Sequence, residues 1–413
     1  MTEKNNPDSG RQEKRPYARV TSIRPVVRDG WYNAWTDLIW WKEYFWLAHF
    51  RGLSHGLARN TTGRIAGNTF SVILRSADLR RWHEAQVFEA PGGIVDGSGV
   101  DTAHFCATED RLYAFFSVHT PAPTGHTLVR SCVSWTADGV RWSEPEPLSV
   151  DGFSPHTWRV RWHEGRFYCA LHYRQNQEDD LRHISPALEQ LKSEGYEIGT
   201  PFDLIASDDG VRWSKHAEIA AAGAHGFTEE SELHWRPDGE LWCVVRTNAA
   251  VMYCSMPPYT EWEEKLVLPA GCDAPVMCES GGQVYLAGRC AGSGSGEPGP
   301  EGAMPFALQN TFSSRESPFI RSGTTGLYRL SRDRAELLVL MPPAFDASYP
   351  GLVSLEPGKL IMSYYSDVAY VSGEVRPRHF PEYRYKTSEC DIYIAEIEVG
   401  DQLYSMDSRF RGH

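Results

Sequence analysis

Short apolar runs recur along the chain, and several are cut in two by a turn-forming triplet. DLIWWKEYFWLA covers Asp37–Ala48, RLYAFFS covers Arg111–Ser117 and WRVRWHEGRFYCALH covers Trp158–His172. ELHWRPDGELWCVV follows at Glu232–Val245, QVYLA at Gln283–Ala287, LVSLEPGKLIMSYY at Leu352–Tyr365 and DIYIAEIE at Asp391–Glu398. Runs this short, rich in aromatic and β-branched residues, predict strands. The triplets HEG, PDG and EPG between apolar halves predict hairpins. Two stretches break the rhythm. Leu181, Ile184, Leu188 and Leu191 lie at helical spacing within Gln177–Tyr196, which predicts a short helical insertion over about 176–200. The stretch from about 290 to 324 is rich in Gly, Ser, Pro and Glu and predicts a long loop.

Three segments repeat one pattern: Ser76-Ala-Asp78-Leu-Arg-Arg-Trp82, Thr136-Ala-Asp138-Gly-Val-Arg-Trp142 and Ser207-Asp-Asp209-Gly-Val-Arg-Trp213. Each follows an apolar or mixed strand. A hydroxyl and a carboxylate at this spacing can bond the backbone of a tight turn, and Gly permits positive φ there. The Trp then folds back over the hairpin and buries a large ring. These residues read as braces that hold turns, not as chemistry. The Trp residues are 60 and 71 positions apart. Strand pairs recurring at that interval predict an all-β fold, a β-propeller of four-stranded antiparallel blades. The region from about 25 to 400 then holds roughly six blades, as one domain. Residues 1–24 read as a disordered polar tail and 401–413 as a C-terminal tail.

Charge and composition narrow the function. The formal net charge is −13, which argues against nucleic acid or an anionic membrane as partner. No stretch approaches the ~20 apolar residues of a membrane helix. The N-terminal MTEKNNPDSGRQEKR lacks the apolar core of a secretory signal. Nine Cys are scattered with no C-x-x-C pair, so a zinc ribbon is not indicated. Together these point to reduced thiols and a cytoplasmic protein. The 14 Trp and 19 Tyr suit β structure and sugar-binding surfaces, which makes carbohydrate the expected partner.

The braces and strands resemble those of the sialidase-like superfamily of six-bladed propellers, whose mark is the Asp-box turn. Two further stretches sharpen the likeness. Glu230 has Gly239 at plus nine and Arg246 at plus sixteen, as around the catalytic Glu of that superfamily. Asp346-Ala-Ser-Tyr349-Pro-Gly-Leu352, followed by a hairpin, puts Tyr349 on the position of its nucleophilic Tyr. Asn33–Leu38, Phe50–His55 and Asp346–Leu352 are also similar to stretches of uncharacterised bacterial sialidase-like proteins. The resemblance covers residues 30 to 400, roughly. It implies a glycoside hydrolase with Tyr349 and Glu230 as catalytic pair, and Asp101 as a substrate-facing Asp. Two departures stand out. The superfamily's first Arg falls here near Asn33-Ala34-Trp35, and its acid/base Asp falls on Ala48–His55, which offers His55 instead. An altered site of this kind argues against sialidase activity proper.

Chemically, Tyr is a weak nucleophile near its usual pKa of about 10, and a carboxylate beside it can take its proton. Tyr nucleophiles are a known exception to the two-carboxylate rule of glycosidases. His55 can act as general acid or base near neutral pH. His104, His156 and His225 sit in comparable places along the repeats. Converging there, they can bond sugar hydroxyls or hold a metal. No cofactor is called for. Arg51, Arg159, Arg246 and Arg289 lie at strand ends, where guanidinium forks suit carboxylates or vicinal hydroxyls. Trp35 and Trp158 are candidate stacking platforms. The leading expectation is therefore hydrolysis of a terminal sugar, including an acidic one, by Tyr349, Glu230 and His55. A lyase working on a uronate through His or Tyr with Arg, and a non-catalytic sugar-binding propeller, are the alternatives.

Overall fold

The computed structural model describes residues 13–52, 69–90, 98–121, 127–150, 157–172, 202–221, 224, 230–247, 250–268, 271–291, 323–342, 344, 346–375 and 389–404. These form six small sheets arranged as the six blades of a β-propeller. The first strand, β1 (Glu13–Val27), belongs to the last blade. Blade 1 follows as β2 (Tyr32–Trp41), β3 (Tyr44–Gly52), β4 (Phe70–Ser76) and β5 (His83–Phe88). Blade 2 has a split first position, β6 (Gly99–Val100) and β7 (His104–Ala107), then β8 (Leu112–Pro121), β9 (Thr127–Thr136) and β10 (Glu146–Pro147).

Blade 3 carries a fifth strand: β11 (Ser149–Val150) lies parallel to the outer strand. Its other strands are β12 (Arg161–His163), β13 (Arg166–His172), β14 (Phe202–Ser207) and β15 (Arg212–Ala220). Blade 4 is β16 (Ser231–Trp235), β17 (Leu241–Arg246), β18 (Ala250–Ser255) and β19 (Glu263–Leu268). Blade 5 is β20 (Asp273–Ser280), β21 (Gln283–Ala291), β22 (Gly323–Leu330) and β23 (Ala335–Leu340). Blade 6 is β24 (Ala347–Glu356), β25 (Lys359–Ser366), β26 (Asp391–Tyr404) and, outermost, β1; a single helical turn, α1 (Val368–Val371), follows β25. The expected helical insertion lies outside the described residues, as does 292–322, most of the expected loop.

Pairing of β1 with β26 closes the ring, because the chain's first and last strands share one sheet. This corrects two expected tails. Residues 13–24 are ladder-bonded strand, and β26 continues through Tyr404. The run EKRPYARV is mostly polar, with Ala18 and Val20 packed against the cluster between blades 5 and 6. Its backbone nonetheless covers an edge that would otherwise stay open. Six clusters of buried side chains fill the contacts between successive blades. One of them joins Leu38, Leu47 and Val72 of blade 1 to Tyr349, Tyr365 and Ile392 of blade 6. Blades 1 and 6 approach so closely that a Cβ on Gly351 would lie 2.3 Å from the Leu38 amide nitrogen.

The predicted braces are turns after the third strands of blades 1 to 3. Asp78 Oδ1 accepts from the amides of Arg80 and Arg81, both at 2.9 Å. Asp138 and Asp209 do the same for their own turns, at 2.8–2.9 Å. The indoles of Trp82 and Trp213 donate back to the turn at 3.0 Å. Trp142 instead packs edge-on against Trp46 and Phe88. A fourth brace escapes the pattern: in blade 4 the Trp262 indole donates to Tyr259 O at 3.1 Å, and Ser255 Oγ to Glu261 O.

Candidate functional site

The first strands of blades 1, 5 and 6 share an irregularity. The ladder skips between Ala34 and Asp37 in β2, between Asp273 and Val276 in β20, and between Ser348 and Gly351 in β24. At each skip one non-glycine residue takes positive φ: Trp35 at 48°, Ala274 at 50° and Tyr349 at 49°, with Ser348 at 114° beside it. Such bulges re-aim side chains, and bulky residues adopt this backbone only when the surroundings impose it. Pro275 and Pro350 follow two of them, as expected where no ladder donor is needed. The surroundings that impose it are visible at Tyr349. Thr36 Oγ1 donates to Tyr349 O at 2.8 Å, and Arg159 Nη2 donates to Pro350 O at 2.7 Å.

Tyr349 so placed meets Glu230, the residue just before β16. Tyr349 Oη donates to Glu230 Oε1 at 2.6 Å. Arg246 Nη1 donates to the same carboxylate oxygen at 2.7 Å and lies 3.2 Å from Tyr349 Oη. The bulge at Ala274 turns its amide onto the other oxygen, Glu230 Oε2, at 3.0 Å. Charge-assisted bonds of this kind fix a carboxylate firmly. The Arg289 guanidinium stacks 4.7 Å over the Tyr349 ring. Burial, and then the Glu230 charge, push the Tyr349 hydroxyl well above its usual value, while Arg289 and Arg246 pull it down. The resting Tyr349 is thus a phenol donating to a carboxylate.

Further buried charges pack around this pair. Arg159, at 0% exposure, donates to Asp37 Oδ1 in a very short bond, and its Nε lies 3.7 Å from Glu232 Oε2. Arg161 grips Glu232 with both fork nitrogens, at 2.8 and 2.5 Å. Burial works against the Asp37 charge, but Arg159 and His104 hold the carboxyl well below its usual value. Asp273 sits between Arg246 Nε at 3.1 Å and Arg289 Nη1 at 3.9 Å. Asp346 accepts from Tyr32 at 2.5 Å and Tyr365 at 2.8 Å, and lies 3.7 Å from Arg289.

The structure therefore brings Tyr349, Glu230, Arg246 and Arg289 together. The Trp35 and Trp158 rings lie 6.2 and 5.8 Å from the Tyr349 ring. Arg159, expected to touch substrate, is fully buried and donates to Asp37 and to Pro350 O. Arg51 turns to Asp29 at 3.3 Å and Glu84 at 3.7 Å. Asp101, in the loop before β7, pairs with His119 Nε2 at 2.9 Å. His104 stacks on Trp158 at 4.2 Å. His55, His156 and His225 lie outside the described residues. Among the described residues no three His, Cys, Asp or Glu side chains form a metal-holding group.

Sequence reasoning missed Asp273, Asp346, Asp37, Glu232 and Arg161 as members. One signal was available. Asp273-Ala-Pro275 and Asp346-Ala-Ser-Tyr-Pro350 open the first strands of neighbouring blades with the same Asp-Ala start.

No protein-family model matches the chain. Over 168 residues it is 23% identical to sucrose-6-phosphate hydrolase of Bacillus subtilis (strain 168), covering 39% of this chain and 30% of that one. It superposes on a protein of unknown function from Dyadobacter fermentans DSM 18053 with a TM-score of 0.63 and 16% identity, over 93% of this chain and 100% of the other. Trypanosoma rangeli sialidase in complex with sialic acid gives 0.55 and 11%, over 94% of this chain and 59% of the sialidase. A Hadza microbial sialidase gives 0.52 and 12%, over 88% and 65%. The fold is the sialidase-like propeller. At these identities the likeness is one of fold, and the chain spans less than a third of the Bacillus relative. Within this sialidase-like propeller, the Tyr–Glu–Arg cluster is assembled from blades 4, 5 and 6, with blade 1 closing it.

Proposed function

We propose that the protein is a glycoside hydrolase that removes a terminal sugar at the channel, with Tyr349 as nucleophile. The observation that carries this is the 2.6 Å bond from Tyr349 Oη to Glu230, with Arg246 bridging both groups. Tyr349 Oη attacks the anomeric carbon and its proton passes to Glu230, while the bond to the leaving oxygen breaks. Arg246 and Arg289 favour the phenolate character that develops on the way. The leaving oxygen takes a proton from an acid. His55 is the residue proposed for it, with the Asp101–His119 pair as the described alternative. Water, activated by the same acid acting as base, then releases the sugar from Tyr349 and restores the phenol. The propeller fold and the weak likeness to a sugar-phosphate hydrolase support a hydrolase of this general kind; neither names a substrate.

The test is a panel of aryl glycosides and uronate-containing oligosaccharides, followed for both sugar release and absorbance of unsaturated product. Sugar release that drops about 10²–10⁴-fold in Tyr349→Phe and in Glu230→Gln is expected. Unsaturated product, or release indifferent to Tyr349→Phe, overturns the proposal in favour of a lyase or of another nucleophile.

A further inference from the structure

Two arginines stand at Tyr349, and they are held differently. Arg246 is at the phenol oxygen, ion-paired to Glu230 at 2.7 Å and to Asp273 at 3.1 Å. Arg289 lies over the ring face, 4.7 Å from its centroid. The carboxylate oxygens of Asp346 and Asp273 are 3.7 and 3.9 Å from its fork. Its hydrogen bonds go to uncharged oxygens of blade 6. Nε donates to Ala347 O at 2.9 Å, and Nη2 donates to Tyr365 Oη at 2.5 Å. The Tyr365 hydroxyl donates in turn to Asp346 Oδ1 at 2.8 Å, and Tyr32 Oη donates to Asp346 Oδ2 at 2.5 Å.

Tyr32, Tyr365 and Asp346 are all buried. A guanidinium and a carboxylate 3.7 Å apart away from water attract strongly, and a direct charged bond would close to about 2.8 Å. The Tyr365 hydroxyl bridges the two instead. As acceptor it satisfies Arg289, and as donor it satisfies Asp346. Where the guanidinium rests matters for Tyr349. A phenolate spreads its charge into the ring, and a cation over the ring face stabilises that charge while Arg246 stabilises the oxygen.

We propose that Tyr365 is a positioning residue for the nucleophile: its hydroxyl, bridging Arg289 and Asp346, keeps the guanidinium over the Tyr349 ring instead of on Asp346. Without the bridge, Arg289 closes onto Asp346 and leaves the ring. Arg246 then serves the phenolate oxygen alone. The consequence for turnover rests on the reading of Tyr349 as nucleophile, whereas the placement of Arg289 does not.

Labelling of Tyr349 by an aryl sulfonyl fluoride tests the placement without any substrate. The reagent reacts with the phenolate, so its rate at a fixed alkaline pH follows the phenolate fraction, read by mass spectrometry of the Tyr349 peptide. Tyr365→Phe slows the labelling about tenfold. Arg289→Gln slows it as much, and the double variant is no slower than either, because Tyr365 acts through Arg289. A Tyr365→Phe rate equal to that of the wild type, or losses that multiply in the double variant, overturns the inference. Asp346→Asn serves where Tyr365→Phe does not fold. Its amide can still accept from Tyr365 and donate to Tyr32, so its rate stays near that of the wild type. A fall to the Arg289→Gln rate would assign the placement to the Asp346 charge and overturn the inference equally. On a glycoside that the protein cleaves, Tyr365→Phe lowers kcat and leaves KM unchanged. Labelling that responds as expected while no glycoside is cleaved removes the hydrolase and leaves the inference standing; hydrolysis that needs Tyr349 but keeps its wild-type kcat in Tyr365→Phe does the reverse.

Discussion

The brace turns and the channel use the same two devices, an Asp carboxylate and a residue at positive φ. In the turns, Asp78, Asp138 and Asp209 bond amides two and three residues ahead. The positive φ falls on Leu79, Gly139 and Gly210. Everything needed lies within seven consecutive residues, and the carboxylates stay near water. In the channel, Asp37 answers Arg159 of blade 3, and Glu230 of blade 4 answers Tyr349 of blade 6. Positive φ falls there on Trp35, Ala274 and Tyr349, none of which adopts it for local reasons. A turn stabilises itself, whereas the channel exists only once the ring has closed. The two regions therefore break in different ways.

The largest contrast is between two arginines. Arg159→Met leaves Asp37 and Glu232 buried and under-paired, and a loss of about 3–5 kcal/mol is expected in urea denaturation. Arg212→Met removes an exposed partner of Asp209 in a brace turn and changes stability by no measurable amount. Equal effects would abolish the distinction.

Acid separates the regions by pH window. Burial holds His49, in β3, down to about 4. The unfolded chain takes up that proton at about pH 6.5, so stability falls from about pH 6.5 down to about 4, by up to about 3 kcal/mol. Asp209 is lowered too, but by its bonds rather than by burial. Against the opposing effect of burial, bonds from the amides of Arg212 and Val211 lower it to about 2. Its contribution is complete above about pH 4 and disappears as pH falls towards 2, and it is small because the carboxylate is over a third exposed. Denaturation midpoints at pH 7, 5 and 3 in wild type and His49→Gln check this. The variant makes only the upper window shallower, since His104 and His234 are held down by burial as well; an unchanged fall above pH 4 would remove His49 as a cause.

Gly351→Ala drives a methyl into the Leu38 backbone at the contact of blades 6 and 1. A loss of roughly 1–3 kcal/mol is expected, with weakened turnover because Tyr349 is two residues away. Gly210→Ala meets Phe167 only at 3.4 Å, so the loss comes from its φ of 79° alone, about 1–2 kcal/mol. Turnover stays unchanged in that variant. A Gly210→Ala protein that loses activity in proportion to Gly351→Ala would show that turns and channel are coupled.

The brace turns, the strand runs and the six blades were legible along the chain, and Tyr349, Glu230, Arg246 and Arg289 were legible as candidates that the fold brings into contact. The first two depend on neighbours within a few residues; Tyr349, Glu230 and Arg246 lay in stretches whose likeness to known propellers is local too, and Arg289 stood out only as an arginine at a strand end. Residues 13–24 were not legible as strand, because their apolar positions are few and the partner strand β26 lies at the other end of the chain. Asp273 and Asp346 gave a repeated Asp-Ala start but no sign of which arginines they meet. What the chain by itself determined is the blade: alternation, hairpin and brace are short-range physics. Tertiary structure alone decided which carboxylate answers which guanidinium, that Arg159 is fully buried, and that three first strands bulge. In the site those pairings join residues up to 122 positions apart, and no local preference selects them. They form only because closing the ring removes the water that would otherwise satisfy each charge.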